Sequence, residues 1–124
     1  MVTRKTWVPD SQEVIWIDCN PQRGQEMRDT HPLLVLSPKA FNDRTSLVIG
    51  LPMTTAAYNA HNPFAVEIGT ASGRKAGHTS YVLCHQPKSF DWRARNGSPH
   101  PMQRLADAPF AEVLALLNQI IRLA

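Results

Sequence analysis

Hydrophobic positions in the first three-quarters of the chain fall in short runs that are rich in β-branched and aromatic residues, which is typical of strands. The runs cover residues 14–17, 33–36, 47–51, 64–68, 81–84 and 88–92. Turn-forming residues at 42–46 separate the second run from the third. Because proline cannot donate to a strand ladder, Pro52 predicts that the third run ends there or reaches a sheet edge. The pattern predicts five or six short strands.

The spacing of apolar residues changes near the C-terminus. Phe110, Val113, Leu114, Leu117, Ile120 and Ile121 recur every three or four residues, which predicts an amphipathic helix. Asp107 and Pro109 suit its cap and first turn. Leu116 and Leu123 widen the apolar stripe, which fits either a helix deep in the core or one with a partly dimeric face. We therefore predict a mainly β fold with a C-terminal helix, a small SH3-like β-barrel, as one domain over residues 1–124.

Composition narrows the class of protein. The 124 residues are 43% hydrophobic and 19% charged, with a formal net charge of +3, which is compatible with a polyanionic partner. No apolar run approaches the roughly 20 residues that span a bilayer. The basic N-terminus is not followed by an apolar export segment, so we expect a cytoplasmic protein without membrane contact. Cys19 and Cys84 are then expected to be buried thiols in a reducing compartment.

Metal and nucleotide-cofactor motifs are lacking. The five histidines, His31, His61, His78, His85 and His100, form no HExxH or His-x-His pattern, and the chain has no CxxC, P-loop or GxGxxG segment. Cys84 and His85 are adjacent and would point to opposite faces of a strand. The sequence therefore predicts no metal site and no cofactor. His85 follows a strand, where it either contacts a ligand or is a satisfied strand-end residue.

Two polar segments carry candidate binding chemistry. The first, of about a dozen residues, joins the first two strands, a length that is usually kept for binding. It carries Arg23, Glu26, Arg28, Asp29 and His31.

The second segment spans residues 88–95. It interleaves Lys88, Arg93 and Arg95 with Phe90 and Trp92, the composition that single-stranded nucleic-acid binding uses. The alternative is that both rings belong to the core while the arginines are merely exposed.

Six segments in order point to a family. The first is Ile15-Trp16-Ile17-Asp18-x-Asn20-Pro21 with Gly24-x-Glu26 in the loop that follows. The others are Pro32-x-x-Val35-Leu36-Ser37-Pro38, Phe41-Asn42 with Thr45, Pro52-Met53-Thr54-Thr55, Pro63-Phe64-x-Val66, and Gln86-x-Lys88-Ser89-Phe90-Asp91-Trp92-Arg93-Ala94-Arg95. In this order and near this spacing they resemble the MazF/PemK (Kid) family of toxin ribonucleases.

The resemblance implies a homodimeric, metal-independent endoribonuclease, the toxin of a type II toxin–antitoxin module. Such proteins cut single-stranded RNA (mRNA) at short recognition sequences by attack of the 2′-OH, leaving a 2′,3′-cyclic phosphate and a 5′-OH. A MazE-like antitoxin lays an acidic tail across the RNA groove, and the pair binds DNA. The fold is shared with CcdB, so a gyrase inhibitor is an alternative, against which the loop cations and the Asp91–Arg95 segment argue.

The resemblance also suggests catalytic positions. The family pairs an arginine before the loop-closing proline with the first threonine of the Pro52–Thr55 motif, and Thr54 occupies the threonine position. His31 stands where the arginine is expected. One interpretation makes His31 a general acid or base with activity retained. The other is a weakly active or inactive RNA- or antitoxin-binding protein that lacks a permanently charged phosphate clamp, unless Arg28 restores the charge.

Glu26 completes the predicted catalytic set, as a base or as an orienting residue, with a solvated loop carboxylate as the alternative. The predicted RNA-binding residues are Arg23, Arg28, Lys88, Trp92, Arg93 and Arg95. His85 and Pro87 replace an aspartate and a valine of the family motif, which changes the shape of that loop.

Overall fold

Strands make up most of the chain, and one long helix follows them. The computed structural model describes residues 7–19, 30–70 and 78–122. In these ranges the elements are β1 (Glu13–Asp18), β2 (Thr30–Val35), α1 (Lys39–Thr45), β3 (Leu47–Thr54), a 3₁₀ helix (Ala57–His61), β4 (Ala65–Thr70), β5 (Thr79–Leu83), β6 (Lys88–Asp91), β7 (Ser98–Arg104) and α2 (Asp107–Ile121). The predicted class, a mainly β barrel-like sheet with a C-terminal helix, is confirmed.

The strands form one antiparallel sheet in the order β4-β5-β3-β2-β1-β7. The eight residues of β3 reach three partners, because residues 50–52 pair with β2, residues 47–50 with β6 and residues 53–54 with β5. β3 therefore joins β5 and β4 at one end of the sheet to β2, β1 and β7 at the other.

Alternation along the central strands sends side chains into two separate cores. Val14 and Leu34 belong to a cluster beneath α2, together with Leu51, Met53, Val66, Val82, Cys84, Leu105, Val113 and Leu117. Their neighbours Ile15 and Val35 belong to a second cluster, together with Ile17, Leu33, Val48 and Trp92. Because the two clusters take alternate residues, they lie on opposite faces of β1 and β2. Both faces are apolar in the middle of the sheet, which explains the unbroken hydrophobic runs.

β2 and β3 approach closely at Gly50. A Cβ atom built on Gly50 would lie 2.4 Å from the carbonyl oxygen of Leu34 and 3.0 Å from Cγ of Leu33. Only glycine fits this position without a shift of the β2 backbone.

Residues 42–46 are largely helical, so the prediction of a turn there is wrong. The side chain of Asn42 is fully buried, and its Nδ2 donates to the carbonyl oxygens of Pro9 and Ser37 at 2.8 and 2.9 Å. Ser37 Oγ donates to Asn42 Oδ1 at 2.6 Å. These tertiary contacts fix α1 despite its turn-like sequence, and Ser46 ends it in the left-handed conformation at φ 63°.

Pro52 does not end β3, so the first of the two predicted alternatives is wrong. On the edge of β3 that faces β5 and β6, residues 47–50 pair with β6 and residues 53–54 pair with β5. Pro52 lies between these two stretches, where the absence of a backbone N–H costs no pairing with either strand. Residues 98–104 also form a strand, β7, that the sequence did not predict because Pro99 and Pro101 interrupt it. Prolines are tolerated there because β7 is the last strand of the sheet.

The C-terminal helix is confirmed, with Ala106 rather than Asp107 at its N-cap. Asp107 lies in the first turn, where its Oδ1 accepts a hydrogen bond of 2.8 Å from Gln12 Nε2. Val113 and Leu117 face the core, whereas Leu114, Ile120 and Ile121 are 38–42% exposed. The helix therefore has both a core face and an uncovered apolar face in the single chain. Neither α1 nor α2, the helices of the described ranges, is long and apolar enough to cross a membrane.

Candidate nucleic-acid interface

His31 and Thr54 occupy neighbouring positions on adjacent strands. Leu33 pairs with Pro52 and Leu34 with Leu51. His31 and Thr54 each lie two residues beyond the last of these pairs, and alternation places them on the same face of their strands as Leu33 and Pro52. On its other side His31 pairs with Ile17 of β1, and its side chain is exposed.

The same row continues across the sheet beyond Thr54. Tyr81 of β5 pairs with Thr54 on one side and with Glu67 of β4 on the other. Four adjacent strands thus each contribute one side chain that can donate or exchange a proton. We call His31, Thr54, Tyr81 and Glu67 the polar row. His31 and Glu67 are exposed, Thr54 is half-buried, and Tyr81 is 7% exposed.

Thr54 is the last residue of β3, and its hydroxyl oxygen accepts a hydrogen bond from the turn that follows. Thr54 Oγ1 accepts a hydrogen bond of 3.1 Å from the backbone N–H of Ala56. A hydroxyl has one proton to donate and two lone pairs to accept. The contact with Ala56 uses a lone pair, and residues 7–19, 30–70 and 78–122 provide no acceptor for the hydroxyl proton, which is therefore available within them for an anionic oxygen. Thr54 is therefore held in a position where it can donate.

Lys88 adds a positive charge on the same face. It is exposed and lies at the start of β6, where it pairs with Gly50. Thr54 lies four positions after Gly50 on β3, and residues an even number of positions apart on a strand lie on the same face. A phosphate chain crossing that face would meet the ammonium group as well as the polar row.

Trp92 is not a surface ring, contrary to the prediction that it stacks on bases. The residue is 5% exposed and belongs to the second core cluster. Its indole Nε1 donates to the carbonyl oxygen of Asn42 at 2.9 Å, and its ring meets Trp7 edge-on with centroids 5.5 Å apart. Phe90 packs half-buried against the same cluster. The alternative of a core ring is therefore correct for Trp92, whose indole anchors α1 to the segment after β6, whereas Phe90 is only partly buried.

Arg93 and Arg95 make contacts within the chain. Arg93 Nη2 forms an ion pair of 2.9 Å with Asp43 Oδ1, and its Cζ lies 4.3 Å from the centroid of the Trp92 ring. Arg95 Nη1 donates to the carbonyl oxygen of Asp18 at 3.1 Å. The Arg93 side chain is still 44% exposed. Both arginines position their segment and leave part of their charge at the surface.

Three predicted site residues, Arg23, Glu26 and Arg28, lie outside the described residues. Within the described ranges, no group of three or more His, Cys, Asp or Glu side chains could hold a metal ion.

Two buried groups have shifted pKa values. Burial raises the pKa of the Cys84 thiol to about 11. Burial lowers the pKa of His100, whose Nδ1 accepts a hydrogen bond of 3.0 Å from the backbone N–H of Met102. Its ring lies 4.4 Å from that of Trp16. His100 is therefore a neutral structural histidine.

Sequence reasoning did not identify Tyr81 and Glu67 as members of the row. Both occur in segments whose pattern predicts a strand and contains no functional motif. Their positions beside Thr54 depend on pairing between strands that are far apart along the chain. Alternation does place Glu67 on the opposite face from Val66, which was the one local signal.

Comparison with known proteins agrees with the fold and with the family that the motifs indicate. A family model described as PemK-like, MazF-like toxin of type II toxin–antitoxin system matches residues 10–121. The chain is 36% identical over 98 residues to the endoribonuclease toxin MazF of Escherichia coli (strain K12), covering 79% of this chain and 80% of that protein. It is 33% identical over 109 residues to the endoribonuclease PemK of Escherichia coli, covering 86% of this chain and 78% of that protein.

A solved structure agrees as well. The crystal structure of MazE–MazF (Form-III) from Deinococcus radiodurans superposes with a TM-score of 0.74 at 29% identity. The match covers 95% of this chain and 100% of that one. The chain therefore belongs to the PemK-like, MazF-like toxins of type II toxin–antitoxin systems.

Proposed function

We propose that this protein is an endoribonuclease that cuts single-stranded RNA as the toxin of a toxin–antitoxin module. Relatives at 33–36% identity are named endoribonucleases, which supports the reaction class. The proposal is supported by the position of His31 and Thr54 on adjacent strands, each two residues beyond the last pair of β2 with β3, and by the exposure of the His31 side chain. Both residues stand at positions that the family uses for catalysis.

The proposed reaction is an internal transesterification. The ribose 2′-oxygen forms a bond to the adjacent phosphorus, and the bond from phosphorus to the 5′-oxygen breaks. Glu26 takes the proton from the 2′-OH, and protonated His31 gives a proton to the departing 5′-oxygen. The products are a 2′,3′-cyclic phosphate and a 5′-OH. Histidine suits this role because its charge changes near neutral pH.

Thr54 stabilises the negative charge that grows on the phosphate. Its hydroxyl proton is free to be donated to a non-bridging oxygen, since Ala56 holds the oxygen from the other side. A donor that is already fixed in place costs no rearrangement during the reaction. We propose that Lys88, Arg23, Arg28 and the exposed parts of Arg93 and Arg95 hold the neighbouring phosphates.

The same cations suit an acidic protein partner. The structural neighbour from Deinococcus radiodurans was solved with MazE, which supports an antitoxin of that kind for this chain. We propose that an acidic antitoxin tail competes with RNA for the positively charged face, and that the toxin acts in the cytoplasm. The uncovered apolar face of α2 is consistent with the homodimer that the family resemblance implies.

A second candidate rests on His31 itself. If a permanently charged guanidinium is required at this position, the protein would hold RNA or antitoxin and cleave poorly. The His31→Arg variant separates the two candidates. A large gain in cleavage would favour the binding protein, whereas equal or lower cleavage would favour histidine catalysis.

Incubation of the purified protein with single-stranded RNA in excess chelator tests the proposed function. The matched control is Thr54→Val, which keeps the shape of the side chain and removes the hydroxyl. We expect new 2′,3′-cyclic phosphate ends with the native chain, and at least about 100-fold slower formation with the variant. Equal product from both proteins, or none above background from the native chain, would overturn the proposal.

A further inference from the structure

Tyr58 is the most exposed large hydrophobic side chain among the described residues. It is 77% exposed, whereas the next, Phe64, is 43% exposed. It lies on the 3₁₀ helix Ala57–His61 that follows Thr54. An aromatic ring left this open on a short, polar turn gains nothing for the core. The ring is therefore available to contact a ligand.

The turn that carries Tyr58 is held by a chain of hydrogen bonds. The carbonyl oxygen of Ala56 accepts from the backbone N–H of Asn59 at 3.1 Å and from its Nδ2 at 3.2 Å. Asn62 Nδ2 donates to Asn59 Oδ1 at 3.0 Å, and Asn62 Oδ1 accepts from the N–H of Phe64 at 2.9 Å. Asn59 is 4% exposed. The asparagines therefore fix the backbone on both sides of the ring.

The same chain of bonds begins at the polar row. Thr54 Oγ1 accepts from the N–H of Ala56, whose carbonyl oxygen binds Asn59. Tyr58 lies four positions after Thr54, so their Cα atoms lie at most about 14 Å apart. The backbone that carries the exposed ring is thus held close along the chain to Thr54, whose hydroxyl we assign to the scissile phosphate.

We infer that Tyr58 is a stacking platform for one unstacked base next to the scissile phosphate. The inference rests on the proposed function and adds a binding residue to it. Proteins hold single strands by stacking bases on aromatic rings beside cations. Trp92, one of the two rings that the sequence offered for stacking, is buried and cannot serve. Tyrosine loses little conformational freedom on binding because it has only two side-chain torsions.

A cycle that combines protein variants with base deletions tests the inference. The native chain is first used to map a cut site in a long single-stranded RNA. A short RNA spanning that site is then made with a 2′-deoxy residue at the attacking ribose, so that it binds without being cleaved. Each flanking base is replaced in turn by an abasic residue.

Affinities are measured for the native chain, Tyr58→Ala, Tyr58→Leu and Tyr58→Phe. Leucine keeps the bulk without the ring, and phenylalanine keeps the ring.

We expect Tyr58→Ala and Tyr58→Leu to bind the complete RNA about 10- to 100-fold more weakly, and Tyr58→Phe to bind within about threefold of the native chain. Removal of one particular base should weaken binding to the native chain by a similar factor and have almost no further effect in Tyr58→Ala. Additive losses at every position, or unchanged affinity in Tyr58→Ala, would overturn the inference while cleavage by the native chain stands. If the native chain cuts no RNA, the proposed function and this inference fail together.

Discussion

The indole of Trp92 donates a hydrogen bond of 2.9 Å to the carbonyl oxygen of Asn42, and so joins the segment after β6 to α1. The Asn42 side chain in turn binds Ser37 and Pro9. The Asp91–Arg95 motif that resembles a family signature therefore acts partly as a structural clamp. Arg93 strengthens it by contacting both the Trp92 ring and Asp43.

Replacement of Trp92 by phenylalanine separates its structural role from a role in RNA binding. The change removes the indole N–H and leaves the buried Asn42 carbonyl without that donor, so we expect the free energy of unfolding to fall by about 1–3 kcal/mol. Affinity for an uncleavable RNA, measured well below the melting temperature, should stay within about twofold. A tenfold loss of affinity in a variant with unchanged stability would restore Trp92 as a base-stacking residue.

Gly50 should tolerate no larger side chain. Alanine there would place Cβ 2.4 Å from the backbone of Leu34, so β2 and β3 would have to separate. We expect Gly50→Ala to lower the free energy of unfolding by about 1–3 kcal/mol in denaturant titration. Ser89→Ala, at an exposed position of the paired strand β6, is the control and should change it by less than about 0.5 kcal/mol. Equal stability of Gly50→Ala and the native chain would contradict the close approach.

Stability should fall in mild acid because of His100. Burial lowers its pKa in the folded state, whereas the unfolded chain takes up the proton near the ordinary value of 6.5. The unfolded state therefore binds more protons as the pH drops below about 6.5, and stability declines until the pH reaches the folded-state pKa. This one group contributes at most about 1.4 kcal/mol per pH unit.

The matched variant for this effect is His100→Asn, which keeps an acceptor for the N–H of Met102 and does not titrate. Denaturant titrations at pH 7.5 and 5.0 should show a smaller loss in the variant than in the native chain. An identical loss in both proteins would show that His100 is not the source.

Cys84 should resist alkylation in the folded protein. Burial raises the pKa of its thiol to about 11, so almost no thiolate exists at pH 7.5. We expect iodoacetamide to label Cys84 at least about 100-fold more slowly in the native state than in denaturant, as followed by peptide mass spectrometry. Rapid labelling of Cys84 in the native state would contradict its place in the core beneath α2.

The sequence predicted those features that depend on local pattern. Apolar runs identified six of the strands, and the three- to four-residue spacing identified α2. It could not predict α1 at residues 39–45, because the contacts that stabilise this helix come from Pro9 and Ser37 in the folded state. β7 was not predicted because strands with two prolines are tolerated only at a sheet edge, and its edge position is known only from the fold.

Part of the candidate site was also predicted from the sequence, and part was not. His31 and Thr54 were found through their motif positions, but their place at the ends of two adjacent strands follows from strand pairing, which local sequence does not encode. Composition could not decide whether Trp92 was a core or a surface ring, and the structure makes it a core ring. Tyr58 lies in a turn with no motif, so only its exposure draws attention to it.

In the proposed reaction His31 and Thr54 act on one phosphate. Cleavage rates of a mapped single-stranded RNA, with excess chelator, should be measured for His31→Ala, Thr54→Val and the double variant, after thermal melting has shown that all three fold. We predict losses of about 100-fold or more for each single variant and little further loss in the double variant, because groups that act as a unit are not additive. Near-native cleavage by either single variant, or losses that multiply in the double variant, would contradict it.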